Sequence, residues 1–335
     1  RMGGGGNLSQ GGRQDFPAGE SVLISAHREN DMSKAGTGVV TARQIAEYLG
    51  LELVGPDIGI RGAYSINNCQ AGGVIFSERD TPESLEKISK LPECLVICGK
   101  DLAVCLTGSR LVSPNPRLSF ILMMEHFFVL KPESVIHPTA VIHPKAKIGR
   151  NISIGAYSWI GPEVDIGDDC ILHQHVVIDG KTSIGKGCEI KSNSVIGEEG
   201  FSFCMDERGI PHHFPHIGRI LIGKYVWIGA NTTIERAVLE DTVVEDHVKI
   251  DDHVQVGHNT RIGMGSRIAA GAIICGRVRI EEDCWIAPNV NIIEERVIGK
   301  GSFLGLGANV ITDVPGNAVF VGNPAYKLRD HNPKR

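Results

Sequence analysis

A histidine and a glycine in this sequence have the residue types and the spacing that acyl transfer needs. His258 follows Val256 by two residues, and Gly276 stands eighteen positions after His258. A neutral imidazole can act as a general base, and an unhindered peptide N–H can bind a developing oxyanion. Asp251, about one hexad before His258, is a candidate to orient the imidazole. This chemistry requires a fold that brings position 258 next to position 276.

A strict repeat of six residues predicts such a fold. Two series, Ile136 to Ile196 and Val238 to Val310, carry Ile, Leu or Val at every sixth position. Neither a helix nor an ordinary strand has this period. A hexapeptide repeat does, because each hexad forms a short strand and a corner, and three hexads complete one triangular coil. The residue eighteen positions later then lies directly above, about 4.8 Å away.

The repeat predicts a mainly β fold, a parallel β-helix with one inward aliphatic residue per hexad. Gly often follows that residue, as at Gly167, where a side chain would be crowded. The run through Ile222, Ile228 and Ile234 shifts its phase by four residues to reach Val238, which predicts a local bulge.

Composition and pattern divide the chain into segments. Residues 1–38, rich in Gly, Ser and Asn, are expected to be a disordered lead, and residues 39–132 to form a small α/β domain that binds nucleotide or substrate. The β-helix is predicted over 133–315, with a loop insertion at 197–219, and a tail follows at 316–335.

Local signals add detail to two of these segments. Within the α/β domain, helices are predicted after Thr41, at Pro82 and after Asn115. The insertion loses the period of six, is dense in Pro and carries Phe201 and Phe203. Loops held by a rigid scaffold often bind ligands, so we expect these two aromatic residues to contact substrate.

Composition excludes several other classes of protein. The chain has 335 residues, a formal net charge of −5 and a pI of about 6.2, which argues against a nucleic-acid partner. Its nine cysteines are scattered without a CxxC pair, which favours reduced thiols and a cytoplasmic location. No apolar run reaches membrane-spanning length.

Metal binding is the alternative use of the histidines. His253 and His258 lie five residues apart, and His173 and His175 form a second pair. A zinc site of the gamma carbonic anhydrase type needs three converging His ligands. Two coils before His253 and His258 the chain has Ile at both positions, so we expect no metal.

The sequence resembles the UDP-3-O-(3-hydroxyacyl)glucosamine N-acyltransferases of lipid A biosynthesis, members of the hexapeptide-repeat acyltransferase superfamily. The resemblance covers about residues 40–315. It rests on the following motifs: Ile45-Ala46-Glu47-Tyr48-Leu49-Gly50, Asn115-Pro116-Arg117-Leu118-Ser119-Phe120, Gly200-Phe201-Ser202-Phe203, Pro215-His216-Ile217-Gly218-Arg219, Ile228-Gly229-Ala230-Asn231-Thr232-Thr233-Ile234-Glu235-Arg236, Lys249-Ile250-Asp251-Asp252 and Gln255-Val256-Gly257-His258-Asn259.

The resemblance implies a homotrimer of left-handed β-helices with no bound cofactor. It also implies transfer of a 3-hydroxyacyl chain from acyl carrier protein, a phosphopantetheine thioester, to the 2-amine of a UDP-linked sugar. His258 falls on the family's base, Gly276 on its oxyanion glycine, and Asp251 and Asp252 on an Asp-Asn pair near that site. The expected substrate-binding residues are Phe76, Phe201, Phe203, Asn231, Asp252, Gln255 and Asn259.

Departures from the family pattern leave two alternatives open. Phe76 begins the family's Phe-x-x-Asn-x-x-Tyr uracil motif, but Arg79 and Pro82 replace its other residues, and Glu295 stands where the family has a second His. The ending, Val321–Ala325, resembles that of CoA-dependent hexapeptide acetyltransferases. The first alternative is therefore a CoA-dependent acyltransferase that acts on another nucleotide amino sugar. The second is a trimeric scaffold without catalysis.

Overall fold

The computed structural model describes residues 39–78, 81–129 and 133–330. The predicted lead, residues 1–38, lies outside the described residues. The chain divides into two compact units with the junction at Lys131–Pro132. Among the helices of the described residues, none has the length and apolar character needed to cross a membrane.

The first unit is an α/β fold. Its strands are β1 (Val40–Thr41), β2 (Leu53–Val54), β3 (Gly59–Ile60), β4 (Gly62–Ala63), β5 (Gly73–Ser77), β6 (Cys94–Cys98) and β7 (Ser109–Val112). Its helices are α1 (Ala42–Leu49), α2 (Pro82–Ser89), α3 (Lys100–Ala103) and α4 (Pro116–Phe127). A five-stranded sheet has the order β2-β7-β6-β5-β4, and β2 is its antiparallel strand.

Capping residues set the ends of the predicted helices. The Thr41 hydroxyl accepts the Gln44 N–H, and the Gln44 side chain accepts the Thr41 N–H in return, which forms a capping box. Gly50 ends α1 in the left-handed region, with φ 63°. The Asn115 side chain accepts the Leu118 N–H at the start of α4. These helix starts are confirmed, whereas the short α3 had no signal that the sequence analysis used.

The second unit is a parallel β-helix with three faces, and its strand numbers run in chain order. The ten-stranded face contains β10 (Ser153–Ile154), β13 (Ile171–Leu172), β16 (Glu189–Ile190), β21 (Trp227–Ile228), β24 (Lys249–Ile250), β27 (Arg267–Ile268), β30 (Trp285–Ile286), β33 (Phe303–Leu304), β35 (Ala318–Val321) and β36 (Tyr326–Asp330). The nine-stranded face contains β8 (Val141–Ile142), β11 (Trp159–Ile160), β14 (Val177–Ile178), β17 (Val195–Ile196), β22 (Thr233–Ile234), β25 (Gln255–Val256), β28 (Ile273–Ile274), β31 (Asn291–Ile292) and β34 (Asn309–Val310). The eight-stranded face contains β9 (Lys147–Ile148), β12 (Asp165–Ile166), β15 (Lys181–Ile184), β20 (Arg219–Ile222), β23 (Asp241–Val244), β26 (Arg261–Ile262), β29 (Arg279–Ile280) and β32 (Val297–Ile298).

The core of the β-helix is a stack of aliphatic side chains at the predicted spacing. Ile250 pairs with Ile228 in one neighbouring coil and with Ile268 in the other, and all three are at most 2% exposed. A second, smaller side chain two residues earlier is also buried, as at Val248 and Cys284. The prediction of one inward residue per hexad was therefore wrong, because the corner before each two-residue strand also points inward.

Glycine follows the aliphatic residue because successive coils approach closely. A Cβ on Gly229 would lie 2.3 Å from the carbonyl carbon of Asp251 in the next coil. The left-handed turn itself comes two residues later, at positions such as Asn231 (φ 55°) and His253 (φ 58°). Asn, Asp and His are enriched in that region, which explains why polar residues recur at these corners.

The repeat is interrupted twice before strands of the eight-stranded face. Arg219 pairs with Lys181, which is 38 residues earlier rather than 18, because the insertion intervenes with the hairpin β18 (Phe203–Met205) and β19 (Pro211–His213). In the next coil Arg219 pairs with Asp241, an interval of 22 residues. The predicted shift of four is confirmed, but Val238 is only partly buried, and the regular inward series resumes at Val244.

The parallel stacking extends beyond the predicted boundary at residue 315. Strand β35 pairs in parallel with β33, and Phe320 lies opposite Leu304. Phe320 is 8% exposed, so it takes the inward position of an aliphatic residue. Strand β36 then pairs antiparallel with β35. Both strands of the described part of the predicted tail therefore belong to the ten-stranded face.

Replacement of a core residue should cost much more stability than replacement of an exposed residue of similar size. Ile286 is fully buried, whereas Leu306 in the following coil is 72% exposed. We expect Ile286→Ala to lower the free energy of unfolding by about 2–5 kcal/mol, because it leaves a cavity. Leu306→Ala should cost less than about 1 kcal/mol. Urea unfolding followed by circular dichroism measures both values, and equal losses would contradict this account of the core.

Candidate active site

His258 lies at the corner after β25, and parallel stacking brings it to Gly276. Gln255 and Val256 pair with Ile273 and Ile274, and the Arg277 N–H donates to the His258 carbonyl oxygen at 2.8 Å. The imidazole covers the glycine, since a Cβ on Gly276 would lie 2.7 Å from His258 Nε2. The structure thus brings together the two residues that the spacing selected.

Asn259 determines which nitrogen of the His258 ring carries the proton. The Val238 N–H donates to Asn259 Oδ1 at 3.0 Å, so this atom is an acceptor. His258 Nδ1 lies 3.0 Å from the same oxygen and must therefore donate to it. The lone pair of the neutral ring is then on Nε2, the nitrogen that faces Gly276.

Both groups at the contact between His258 and Gly276 are available to a ligand. Among the described residues, His258 Nε2 has no hydrogen-bond partner. The residue as a whole is only 6% exposed, but Nε2 is not among the fully buried atoms that lack a partner. The Gly276 N–H donates no hydrogen bond to any described residue. At some equivalent corners, those of Arg150, Lys224 and Ala230, a carboxylate of the next coil caps the corresponding N–H, as Asp252 does for Ala230 at 2.6 Å. An acceptor of protons and a donor to an oxyanion are therefore both free at this corner.

Glu235 supports His258 from the preceding coil, a role that the sequence analysis did not assign. Its Oε2 accepts the His258 N–H at 3.1 Å, and its Oε1 accepts from Gln255 Nε2 at 3.3 Å. Burial raises the pKa of the Glu235 carboxyl, and the hydrogen bond from the His258 N–H opposes this rise. The available signal was a polar residue at a position where the repeat often has Gly.

The insertion is attached to the β-helix beside this corner. Arg236 donates to three groups of the insertion, the carbonyl oxygens of His216 (2.7 Å) and Gly197 (3.0 Å) and Glu199 Oε1 (2.6 Å). His216 is 1% exposed, and its ring contacts that of His258 edge to face with centroids 5.0 Å apart. The insertion thus covers His258 with a second imidazole.

Gly200 of the insertion also lies close to the site. A Cβ there would lie 2.5 Å from Glu235 Oε2, 2.9 Å from His258 Cδ2 and 3.1 Å from His216 Nε2. Only glycine fits at this position without displacement of one of these groups.

Four of the other predicted site residues have structural roles in a single chain. Asp251 follows β24 on the ten-stranded face, so it lies at a different corner, and Asn259 rather than Asp251 holds the imidazole. Asp252 caps the Ala230 N–H, and Asn231 occupies a left-handed corner on the exposed surface. Gln255 contacts Glu235 and thereby lies close to His258.

The three predicted aromatic contacts differ in exposure. Phe201 is 85% and Phe203 45% exposed, and their rings meet edge to face at 4.9 Å, so the insertion presents an aromatic pair to solvent. Phe76 is partly buried in the first unit, and its ring lies 4.9 Å from that of Phe120. Arg79, the second residue of the altered uracil motif, lies outside the described residues.

Glu295 and the histidine pairs also have defined surroundings. Glu295 occupies a left-handed corner (φ 62°), and its carboxylate pairs with Arg277 Nε at 2.9 Å. Glu295 stands at the position of the second His in the N-acyltransferases that the sequence resembles, and its carboxylate is paired with Arg277. Among the described residues, the group of side chains that could hold a metal ion is Glu199, His213 and His216, which the sequence analysis did not consider.

Comparisons with known proteins show what this chain is similar to. A family model described as bacterial transferase hexapeptide (six repeats) matches residues 241–276. The chain is 34% identical over 230 residues to a UDP-3-O-acylglucosamine N-acyltransferase of Coxiella burnetii, with 62% of this chain and 66% of the relative covered. A protein of the same name from Pseudomonas putida is 34% identical, with 63% and 65% covered.

The fold is also similar to that of solved structures. The UDP-N-acetylglucosamine acyltransferase of Bacteroides fragilis has a TM-score of 0.52 at 26% identity, with 58% of this chain and 73% of that chain covered. The predicted resemblance to the N-acyltransferases and the predicted fold class are confirmed. The chain spans slightly less than two thirds of the length of the curated relatives it matches.

Removal of the Asn259 side chain should release the His258 tautomer. We expect Asn259→Gly to convert the His258 ring from a single Nδ1–H form to a mixture, because glycine keeps the left-handed corner but removes the acceptor. Asn289→Gly is the matched control, since Asn289 occupies an equivalent corner (φ 57°) in a later coil. Long-range ¹H–¹⁵N spectra of histidine-labelled protein report the tautomer. An unchanged spectrum in Asn259→Gly would refute the assignment.

Proposed function

We propose that this protein is an N-acyltransferase. It moves a 3-hydroxyacyl group from a phosphopantetheine thioester, carried by acyl carrier protein, to the amine of a UDP-linked glucosamine, as in lipid A synthesis. The observation that carries the proposal is the contact of His258 Nε2 with Gly276, where neither Nε2 nor the Gly276 N–H has a hydrogen-bond partner among the described residues. The substrate class rests on the names of the relatives, which are UDP-3-O-acylglucosamine N-acyltransferases.

The proposed reaction uses these two groups in sequence. The amine of the acceptor attacks the thioester carbonyl carbon while His258 Nε2 takes a proton from the amine nitrogen. The carbonyl oxygen becomes an oxyanion and receives a hydrogen bond from the Gly276 N–H. The C–N bond is formed, the C–S bond breaks, and the imidazolium returns its proton to the departing thiolate. The products are an amide and a free thiol, and His258 is neutral again.

The surroundings of His258 favour each step of this sequence. The Nδ1–H donates to Asn259 throughout, which keeps the base on Nε2 and stabilises the imidazolium that forms. The carboxylate of Glu235, which accepts the main-chain N–H of His258, adds a negative charge near that imidazolium. The fold thus stabilises the charge that develops on the base.

An apolar column next to the site suits an acyl chain. Residues one position after the inward aliphatic residue stack above Gly257 in successive coils, and they are Cys275, Ile293 and Ile311. Ile293 is 44% and Ile311 52% exposed. Apolar side chains exposed in a row are typical of a ligand groove or an interface between protomers. We propose a homotrimer in which the acyl chain lies along this column, between neighbouring β-helices.

Loss of the His258 imidazole should abolish turnover without loss of the fold. We expect His258→Asn to lower kcat/KM by about 10²- to 10⁴-fold, because Asn cannot accept the proton. His253→Asn is the control, since His253 lies on the surface at a left-handed corner that Asn accepts readily. Thioester consumption measures both variants. Turnover near that of the wild type in His258→Asn would remove His258 from the chemistry.

A comparison of acyl donors distinguishes the proposal from its alternatives. The ending Val321–Ala325 favours CoA as the other donor, so acyl-carrier-protein and CoA thioesters of the same chain should be compared on a set of nucleotide amino sugars. We expect the carrier-protein thioester to have a kcat/KM at least about tenfold higher, with an N-acylated UDP-glucosamine detected by mass spectrometry. The reverse preference would indicate the CoA-dependent alternative. No consumption of either thioester would indicate a scaffold.

A further inference from the structure

The base of the insertion contains three side chains whose potential ligand atoms converge. Glu199 lies near the start of the insertion, His213 is the last residue of β19, and His216 lies near the end of the insertion. Their potential ligand atoms all lie within 4.8 Å of one another. Glu199 Oε2 lies 3.4 Å from His213 Nδ1 and 3.9 Å from His216 Nδ1. Donors bound to one tetrahedral zinc ion at 2.0–2.1 Å lie about 3.3–3.4 Å apart. We propose that these three residues form a zinc site.

The hydrogen bonds of His213 leave its other nitrogen facing the carboxylate. His213 Nε2 lies 3.4 Å from the Gly200 carbonyl oxygen, an acceptor, so Nε2 carries the proton. In a neutral ring Nδ1 then presents a lone pair toward Glu199 Oε2, and two acceptors in contact repel each other. A cation between them removes this repulsion. An N–H donated to a backbone carbonyl is also the usual outer contact of a zinc-bound histidine.

The second imidazole has an unsatisfied atom that metal binding would correct. His216 Nδ1 donates to the Phe214 carbonyl oxygen at 2.7 Å, which leaves a buried lone pair on Nε2 without a partner among the described residues. A zinc ion on Nδ1 moves the proton to Nε2. The N–H on Nε2 would then lie near the Glu235 carboxylate. A Cβ built on Gly200 would lie 3.1 Å from His216 Nε2 and 2.5 Å from Glu235 Oε2, so these two atoms are close to each other. The Phe214 carbonyl oxygen remains close enough to be a fourth donor.

The carboxylate of Glu199 is prepared for such a role. Its Oε1 pairs with Arg236 at 2.6 Å, so Oε2 is the atom that faces the two histidines. The hydrogen bond from the His216 N–H, followed by the Arg236 guanidinium, lowers the pKa of this carboxyl. Glu199 therefore presents a charged oxygen, Oε2, toward the two histidines, and this oxygen also accepts the main-chain N–H of His216 at 3.2 Å.

The site would join the two ends of the insertion directly above His258. Glu199 and His216 are seventeen residues apart in sequence, and the hairpin between them carries the exposed pair Phe201 and Phe203. Closure of a loop by a metal ion restricts its free chain and fixes its base. The zinc ion would thus hold the segment that covers the base of the proposed reaction, without itself contacting substrate.

Zinc affinity of the full chain tests this inference independently of activity. Chelator-treated protein without an affinity tag is dialysed against Zn²⁺, and bound metal is measured by mass spectrometry. We expect one zinc per chain in the wild type, and at least tenfold weaker binding in His213→Ala and Glu199→Gln. His212→Ala is the matched control, because His212 lies on the same hairpin but faces Asp206. It should bind zinc as the wild type does.

Two outcomes would overturn the zinc site. One is the absence of stoichiometric zinc in the wild type, which would show that a proton on His213 rather than a metal ion separates it from Glu199. The other is wild-type affinity in both His213→Ala and Glu199→Gln. His258→Asn should bind zinc normally and should show the same rise in melting temperature with zinc as the wild type. Loss of metal binding and loss of acyl transfer are therefore separate results, each with its own variant.

Discussion

Parallel stacking at an interval of eighteen residues is the constraint on which the rest of the β-helix depends. Backbone bonds between successive coils carry it, such as Gly257 N–H to the Ile274 carbonyl oxygen at 2.8 Å. The inward aliphatic residues make the register unambiguous, because a slip of one residue would move every one of them to the surface. His258 and Gly276 are neighbours because of this register. Their contact is therefore as stable as the core itself, and no mobile side chain is needed to bring them together.

The interruptions of the repeat provide what the regular coils cannot. A coil of 22 residues has four more than it needs, and these residues bring the Val238 N–H to Asn259. That contact identifies the acceptor that determines the His258 tautomer. The longer insertion covers the same corner with His216 and is held by Arg236. Regular coils thus position His258 and Gly276. The irregular segments determine which nitrogen of His258 carries the proton, and they cover its ring.

Much of this arrangement could be predicted from the sequence, because a period of six survives in the sequence itself. The three-sided fold, the pairing of 258 with 276 and the irregular insertion all follow from counting. The role of Asp251 could not be predicted in this way. The repeat spacing tells which coil a residue belongs to, but not which side chain contacts the His258 ring. The acceptor of the His258 Nδ1–H is Asn259, the residue that follows His258. Glu235 and His216 were missed for the same reason, since both act across coils whose spacing is irregular.

The two imidazoles at this corner show how environment separates residues of one type. Burial lowers the pKa of His216, and its Nδ1–H is used by the Phe214 carbonyl oxygen. In His258 the Nδ1–H donates to Asn259, and Nε2, which has no hydrogen-bond partner among the described residues, lies beside Gly276. A positive charge beside His216 would lie near the imidazolium that His258 forms during transfer, and like charges at that distance oppose each other. Two carboxylates lie beside these rings, Glu199 next to His216 and Glu235 next to His258. Their negative charges offset positive charge at this corner, including that of the proposed zinc ion.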